Sequence, residues 1–160
     1  MGDKSVTHLE KPASIPEGWK KKPSPRRILV VDDDEHIRHF NAEVLTRTGY
    51  HVEAAADGAA GWDALNANRY DLLITDHNMP KLSGVELIKK INDARIPVPI
   101  ILSSGVPQNE EVELRLAATL PKPFTIEELL GTVKKVLTEA HGSGEWAPPS
   151  SSKPPDGWQV

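Results

Sequence analysis

A chain of 160 residues has room for one domain and short additions, and without cysteine it can hold no disulfide, thiolate nucleophile or Cys-ligated zinc. A net charge of −4 argues against a whole-molecule nucleic-acid binder. No apolar run approaches the ~18 residues of a membrane span, and "MGDKSVTHLEKPASIPEGW" has no apolar segment of signal-peptide type, so a soluble cytoplasmic protein is expected.

The N-terminal stretch differs in charge from the rest of the chain. Residues 1–27 carry seven Lys/Arg and three Asp/Glu, whereas residues 28–139 carry eleven and eighteen. Eight of the fourteen prolines lie at or before Pro25 or after Glu145. Such ends bury too little apolar surface to offset their ordering entropy. The expected organisation is a flexible basic tail over 1–25, one acidic domain over 26–139, and a flexible Pro/Ser/Gly-rich tail over 140–160.

"RILVV" (27–31) is a short apolar run, the mark of a buried parallel strand. Asp34 can cap a helix that places Ile37, Phe40, Val44 and Leu45 on one face, with Gly49 ending it. "YHVEAA" reads as a second strand. Asp57 caps "GAAGWDALNAN", with Ala60, Trp62 and Leu65 on a weaker apolar face. "YDLLITD" is the third strand. "LSG" opens a third helix marked by Val85, Ile88 and Ile91. "VPIILS" is the fourth strand, "NEEVELRLAA" a short helix, and "TLP" a short fifth strand. The last helix begins near Thr125, with Ile126, Leu129, Leu130, Val133, Val136 and Leu137 inward.

Strand and helix alternate about five times, which implies parallel strands joined by right-handed crossovers with helices on both faces. All strand C-termini then share one edge, and Asp32, Asp33, Asp76 and Ser104 come from three strand ends on it. Lys122, after the fifth strand, joins them. Three carboxylates in one pocket repel one another unless a cation lies among them. Oxygen ligands without His or Cys suit Mg²⁺, which takes one or two carboxylates and a phosphate oxygen. A lysine and a hydroxyl beside the metal complete a site for a phosphoryl group. An aspartate can itself be the nucleophile, giving an acyl phosphate.

"ILVVDDDEHIR", "DLLITDHNMPKLSG", "PIILSSG" and "PKPFT", in this order, resemble the receiver domain of bacterial two-component response regulators. The resemblance implies an α/β, flavodoxin-like, doubly wound sheet of five parallel strands in the order 2-1-3-4-5 with five helices, the fourth shortened. It implies Asp76 as phosphoacceptor, with Mg²⁺ held by Asp33, Asp32 and Asp76 and by the backbone carbonyl of Asn78. It places Ser104 at the hydroxyl position, Lys122 at the phosphate-binding position, and a cis bond at Lys122–Pro123. The phosphoryl donor would be a phosphohistidine on a sensor histidine kinase or a histidine phosphotransfer protein, and the product a conformational state read by a downstream protein. Two departures stand out. Thr119 occupies a position usually aromatic in the family, and the stretch from Ser104 to Lys122 is a few residues short.

Several residues have plainer roles. Asp34 reads as a cap, and His36 and His39, without a third ligand, as a solvated face. His77 needs no role in its loop, and "KKKPSPRR" reads as a solubilising segment. "PEGW" at 16–19 recurs as "PDGW" at 155–158, a pair of candidate docking segments. Residues 140–160 are too few and too biased for a DNA-binding effector. Two other functions compete: a haloacid-dehalogenase-type phosphatase with Asp32 as nucleophile, which lacks a later GDxxxD motif here, and a degenerate receiver serving as a binding module.

Overall fold

The computed structural model describes residues 24–105 and 114–141. Strand β1 (Arg27–Val31) leads to helix α1 (Glu35–Arg47), β2 (His51–Ala55), α2 (Gly58–Ala67), β3 (Leu72–Asp76), α3 (Gly84–Asp93), β4 (Ile100–Ser104), β5 (Ala118–Pro121) and α4 (Ile126–His141). The strands form one parallel sheet in the order β2-β1-β3-β4-β5. This is the expected α/β doubly wound sheet.

Strand alternation sends successive side chains to opposite faces. Ile28, Val30, Leu72, Ile74, Ile101 and Leu120 join Val44 and Leu45 of α1 and Leu129, Val133, Val136 and Leu137 of α4 in one apolar layer. Leu29, Val31, Leu73, Ile100 and Leu102 join Leu65 of α2 and Leu87, Ile88 and Ile91 of α3 in the other. Each such side chain removed from water contributes ~1.5–3 kcal/mol. The central strands are therefore apolar on both faces, and the polar chemistry is confined to their ends.

The helix starts follow from their caps. Asp34 accepts from the amides of His36 and Ile37, and Asp57 from that of Ala60. Ser83 and Glu86 form a reciprocal capping box at α3. Gly49 follows α1 at φ 107°, a conformation that only glycine adopts without steric cost.

Several expectations shift. Ile37 is 37% exposed, not inward, because it sits in the first turn of α1 and burial begins at Asn41. Leu87, not singled out from the sequence, is buried in α3, while Val85 is only half-buried. Helix α4 runs to His141, two residues past 139, where His141 Nε2 meets the Asp71 carbonyl at 3.0 Å. The described residues contain four helices. Half of the expected short helix over 109–118 lies outside them, and Ala118 belongs to β5. The remainder, Leu114–Ala117, is not helical. There the Leu116 amide closes a tight turn on the Leu114 carbonyl, and the Ala117 amide already pairs with Ile100 of β4. Of the expected tails over 1–25 and 140–160, residues 1–23 and 142–160, with both Pro-Glu/Asp-Gly-Trp segments, also lie outside the described residues.

Candidate active site

Parallel register brings the candidate side chains to the C-terminal edge of the sheet. Asp32 follows β1, and its amide extends the ladder to the Ala55 carbonyl. Asp76 is the last residue of β3 and lies opposite Ser103 of β4, while Ser104 lies opposite Pro121 of β5. The Lys122 amide then donates to the Ser104 carbonyl at 2.8 Å, so the fifth strand delivers the lysine to the same edge. The Lys122–Pro123 bond is cis, as expected. Lys122 Nζ donates to Asp76 Oδ1 at 2.9 Å and reaches Asp32 Oδ2 at 3.5 Å.

Asp32, Asp33 and Asp76 each bring a carboxylate oxygen within 4.8 Å of the others. Asp32 is 4% exposed. Its burial pushes its pKa above the usual carboxylate value, against the opposing pull of the Asp34 amide and the Lys122 charge. Burial draws the Lys122 pKa down, but the hydrogen bond to Asp76 and the charges of Asp32 and Asp76 outweigh it and raise the value. One ammonium among three carboxylates leaves the edge short of positive charge. Clustered hard oxygens fit a divalent cation such as Mg²⁺, and the lysine-bonded Asp76 fits a carboxylate nucleophile.

The remaining sequence candidates are also placed. Ser104 ends β4, partly exposed at the same edge. Asn78 is exposed in the loop after β3, where its Oδ1 lies 2.9 Å from His77 Nδ1. Asp33 is exposed beside buried Asp32. His36 and His39 are exposed along α1, consistent with their polar-face assignment.

Supporting residues were harder to foresee. Arg38 reaches back from α1 and donates to the Asp32 carbonyl at 2.9 Å, and the Asp34 amide donates to Asp32 Oδ1 at 3.0 Å. Together they hold the acidic turn. A Cβ on Gly84 would stand 2.0 Å from the Asp76 carbonyl oxygen, so only glycine lets α3 begin this close to the phosphoacceptor candidate. "LSG" marked that position as a helix start, without revealing the close approach. Lys81, at φ 67°, bonds Asp57 at 3.1 Å and pins the loop after β3 to the cap of α2. His77 Nε2 and Ser103 Oγ are buried without a hydrogen-bond partner beside the site.

Comparison with known proteins agrees with this geometry. The family model for the response regulator receiver domain matches residues 28–134. The response regulator MprA of Mycolicibacterium vanbaalenii is 35% identical over 133 residues, covering 77% of this chain and 56% of its own length. MprA of Mycobacterium avium is 36% identical over 118 residues, covering 69% and 50%. The chain thus spans about half the length of the curated relatives it matches. A CheY-like receiver domain protein from Methanospirillum hungatei superposes with a TM-score of 0.71 at 30% identity, over 76% of this chain and all of that one. CheY4 of Vibrio cholerae superposes at 0.65 with 31% identity, over 70% and 98%. TrrA of Thermotoga maritima, solved in complex with Mg²⁺ and BeF, superposes at 0.63 with 31% identity, over 69% and 98%. With the family model matched across both apolar layers and every strand of the sheet, the chain belongs to the response regulator receiver domains of two-component signalling.

Proposed function

We propose that the chain accepts a phosphoryl group on Asp76 from a phosphohistidine of a sensor histidine kinase or a histidine phosphotransfer protein. The observation that carries this reading is the Lys122 ammonium bonded to Asp76 Oδ1 at 2.9 Å within a group of three carboxylates. An Asp76 carboxylate oxygen attacks phosphorus as the phosphorus–nitrogen bond of the donor breaks, leaving an acyl phosphate and a neutral donor histidine once its ring nitrogen is protonated. Lys122 follows the charge from the carboxylate to a phosphoryl oxygen, and Ser104 donates its hydroxyl to another. Asp32, Asp33, Asp76 and the Asn78 carbonyl would hold Mg²⁺, which when bound supplies charge neutralisation at the phosphoryl oxygens. The relative from Thermotoga maritima, solved with Mg²⁺ and BeF, supports this choice of ion.

Output within these residues passes through protein contacts, phosphate relay or self-association. Thr119, exposed on β5, is too small to fill the space an aromatic would, so phosphorylation changes mainly the loops around Asp33, Asp76, Ser104 and Lys122. The test is incubation with a small acyl phosphate and Mg²⁺, followed by peptide mapping. Label on Asp76, lost in Asp76→Asn, is the expected result. Label on Asp32 would instead support the phosphatase reading, and no label the binding-module reading.

A further inference from the structure

The edge opposite the acidic site borders a cavity of about 740 Å³. Leu65, Ile96 and Val98 form apolar walls, Tyr70 contributes its ring, and Arg27 and Arg69 supply cations. Arg27 is only partly engaged. Its Nη2 donates to Glu53 Oε1 at 2.5 Å, and its guanidinium carbon lies 5.3 Å from the Tyr70 ring centroid. Its Nε–H is buried with no hydrogen-bond partner. That atom is closed to solvent, so an acceptor entering the cavity meets the outer guanidinium nitrogens of a side chain that is 36% exposed. Apolar walls beside guanidinium groups describe a site for an aromatic ring with a carboxylate close by.

That combination stands twice in the sequence, as Pro16-Glu17-Gly18-Trp19 and Pro155-Asp156-Gly157-Trp158, each with its carboxylate two residues before the indole. Both ends of the described domain also meet beside the cavity. Arg26, just before β1, pairs with Asp71 at 3.4 Å, and His141, the last residue of α4, binds the Asp71 carbonyl at 3.0 Å. Asp71 is itself part of the cavity wall.

We propose that residues 16–19 dock in this cavity, with Trp19 against the apolar walls and the Glu17 carboxylate accepting from Arg27 and Arg69. Tether length selects this motif over its twin. Trp19 stands five residues before Ser24, an extended reach of about 17 Å, whereas Pro155 stands fourteen residues beyond His141. Effective concentration falls with roughly the −3/2 power of tether length once the span is reached. The ordering entropy of the whole N-terminal segment need not be offset, because this contact fixes one ring and one carboxylate. Docking there leaves the acidic edge open to a phosphodonor.

The test is an amide and indole NMR comparison of the full chain with its Trp19→Ala and Trp158→Ala variants. Trp19→Ala should move the amides of Asn68, Tyr70, Ile96 and Val98 and leave those of Asp33, Asp76 and Lys122 in place. A synthetic peptide of residues 14–22, added to the Trp19→Ala chain, should restore the shifts. Arg69→Glu should move the Trp19 indole signal while the unfolding midpoint stays within a few degrees of the parent. Cavity amides unmoved by Trp19→Ala would overturn the proposal. So would shifts produced by Trp158→Ala alone, and so would shifts lost on dilution, which would assign the contact to a second copy.

Discussion

At the C-terminal edge of the sheet, Asp32, Asp33 and Asp76 cluster, and the ammonium of Lys122 contacts Asp32 and Asp76. At the N-terminal edge, each carboxylate has a cationic partner. Arg27 pairs with Glu53, which also accepts from the Tyr70 hydroxyl. Arg26 pairs with Asp71, whose other carboxylate oxygen takes the Arg27 amide at 2.8 Å. The same sheet thus carries one edge where charge is nearly balanced and one where it is not. The balanced edge ties strand starts together. The unbalanced edge holds repulsion that a divalent cation or a phosphoryl group in the company of one can relieve. Side chains arranged for stability satisfy one another; here the departure from that rule marks the site.

After the complete loss of label in Asp76→Asn, the largest effect expected of a substitution is at Lys122. Lys122→Ala leaves three carboxylates without their ammonium and should slow acyl phosphate formation by ~10²-fold or more. Initial rates of labelling at fixed Mg²⁺ measure it, and a rate close to the parent's would deny the lysine its role. On the opposite edge, Glu53→Gln should leave that rate unchanged.

Asp32→Asn sharpens the comparison through stability. In the parent, Mg²⁺ at ten times its dissociation constant should add about 1.4 kcal/mol, and Asp32→Asn should remove most of that gain while raising the metal-free melting temperature. The sign follows from the raised Asp32 pKa. The folded state holds that proton more tightly than the unfolded chain, so the cost of ionised Asp32 is absent below the ordinary 3.8 and grows as pH rises through the raised value. The Lys122 contribution runs toward the other end of the scale: intact below the ordinary 10.5 and lost as pH rises through its raised value. Thermal melts from acid to neutral pH should therefore show the variant pulling ahead of the parent as pH climbs. Parallel melting curves would refute the assignment of Asp32 as the strained carboxylate.

Tyr70→Phe on the balanced edge should cost about 0.5–1.5 kcal/mol, the worth of one hydrogen bond, and leave labelling untouched. Chemical denaturation measures the first and the labelling assay the second. Smallest of all is Lys81→Ala. Its ion pair with Asp57 is largely exposed on the lysine side, so the loss should be ~0–1 kcal/mol and shrink further in high salt.

Much of the fold was legible in short patterns. The apolar runs of β1 and β3, and Asp34, Asp57 and Ser83 at helix starts, are local signals that require nothing beyond a few neighbours. Alternation implied parallel strands, and their order followed from the family resemblance alone. Ile37 departed from its helical face because periodicity ignores where along a helix the packing begins. Leu114–Ala117 departed from helix because pairing with β4 competes for the same amides.

The sequence by itself determined that three carboxylates, a serine and a lysine would follow strands, since each stands directly after or at the end of an apolar run. Only the tertiary structure decided how they differ. Lys122 bonds Asp76 more closely than Asp32, Asp32 is the buried member of its pair, Arg38 anchors the turn between them, and Gly84 admits the α3 start against Asp76. The reason is physical. Strand and cap preferences are set by residues a few positions apart, whereas the partners of Lys122 stand 46 and 90 positions away and share only the register of the sheet, and the approaches of Arg38 and Gly84 depend on how a helix packs against the strand end.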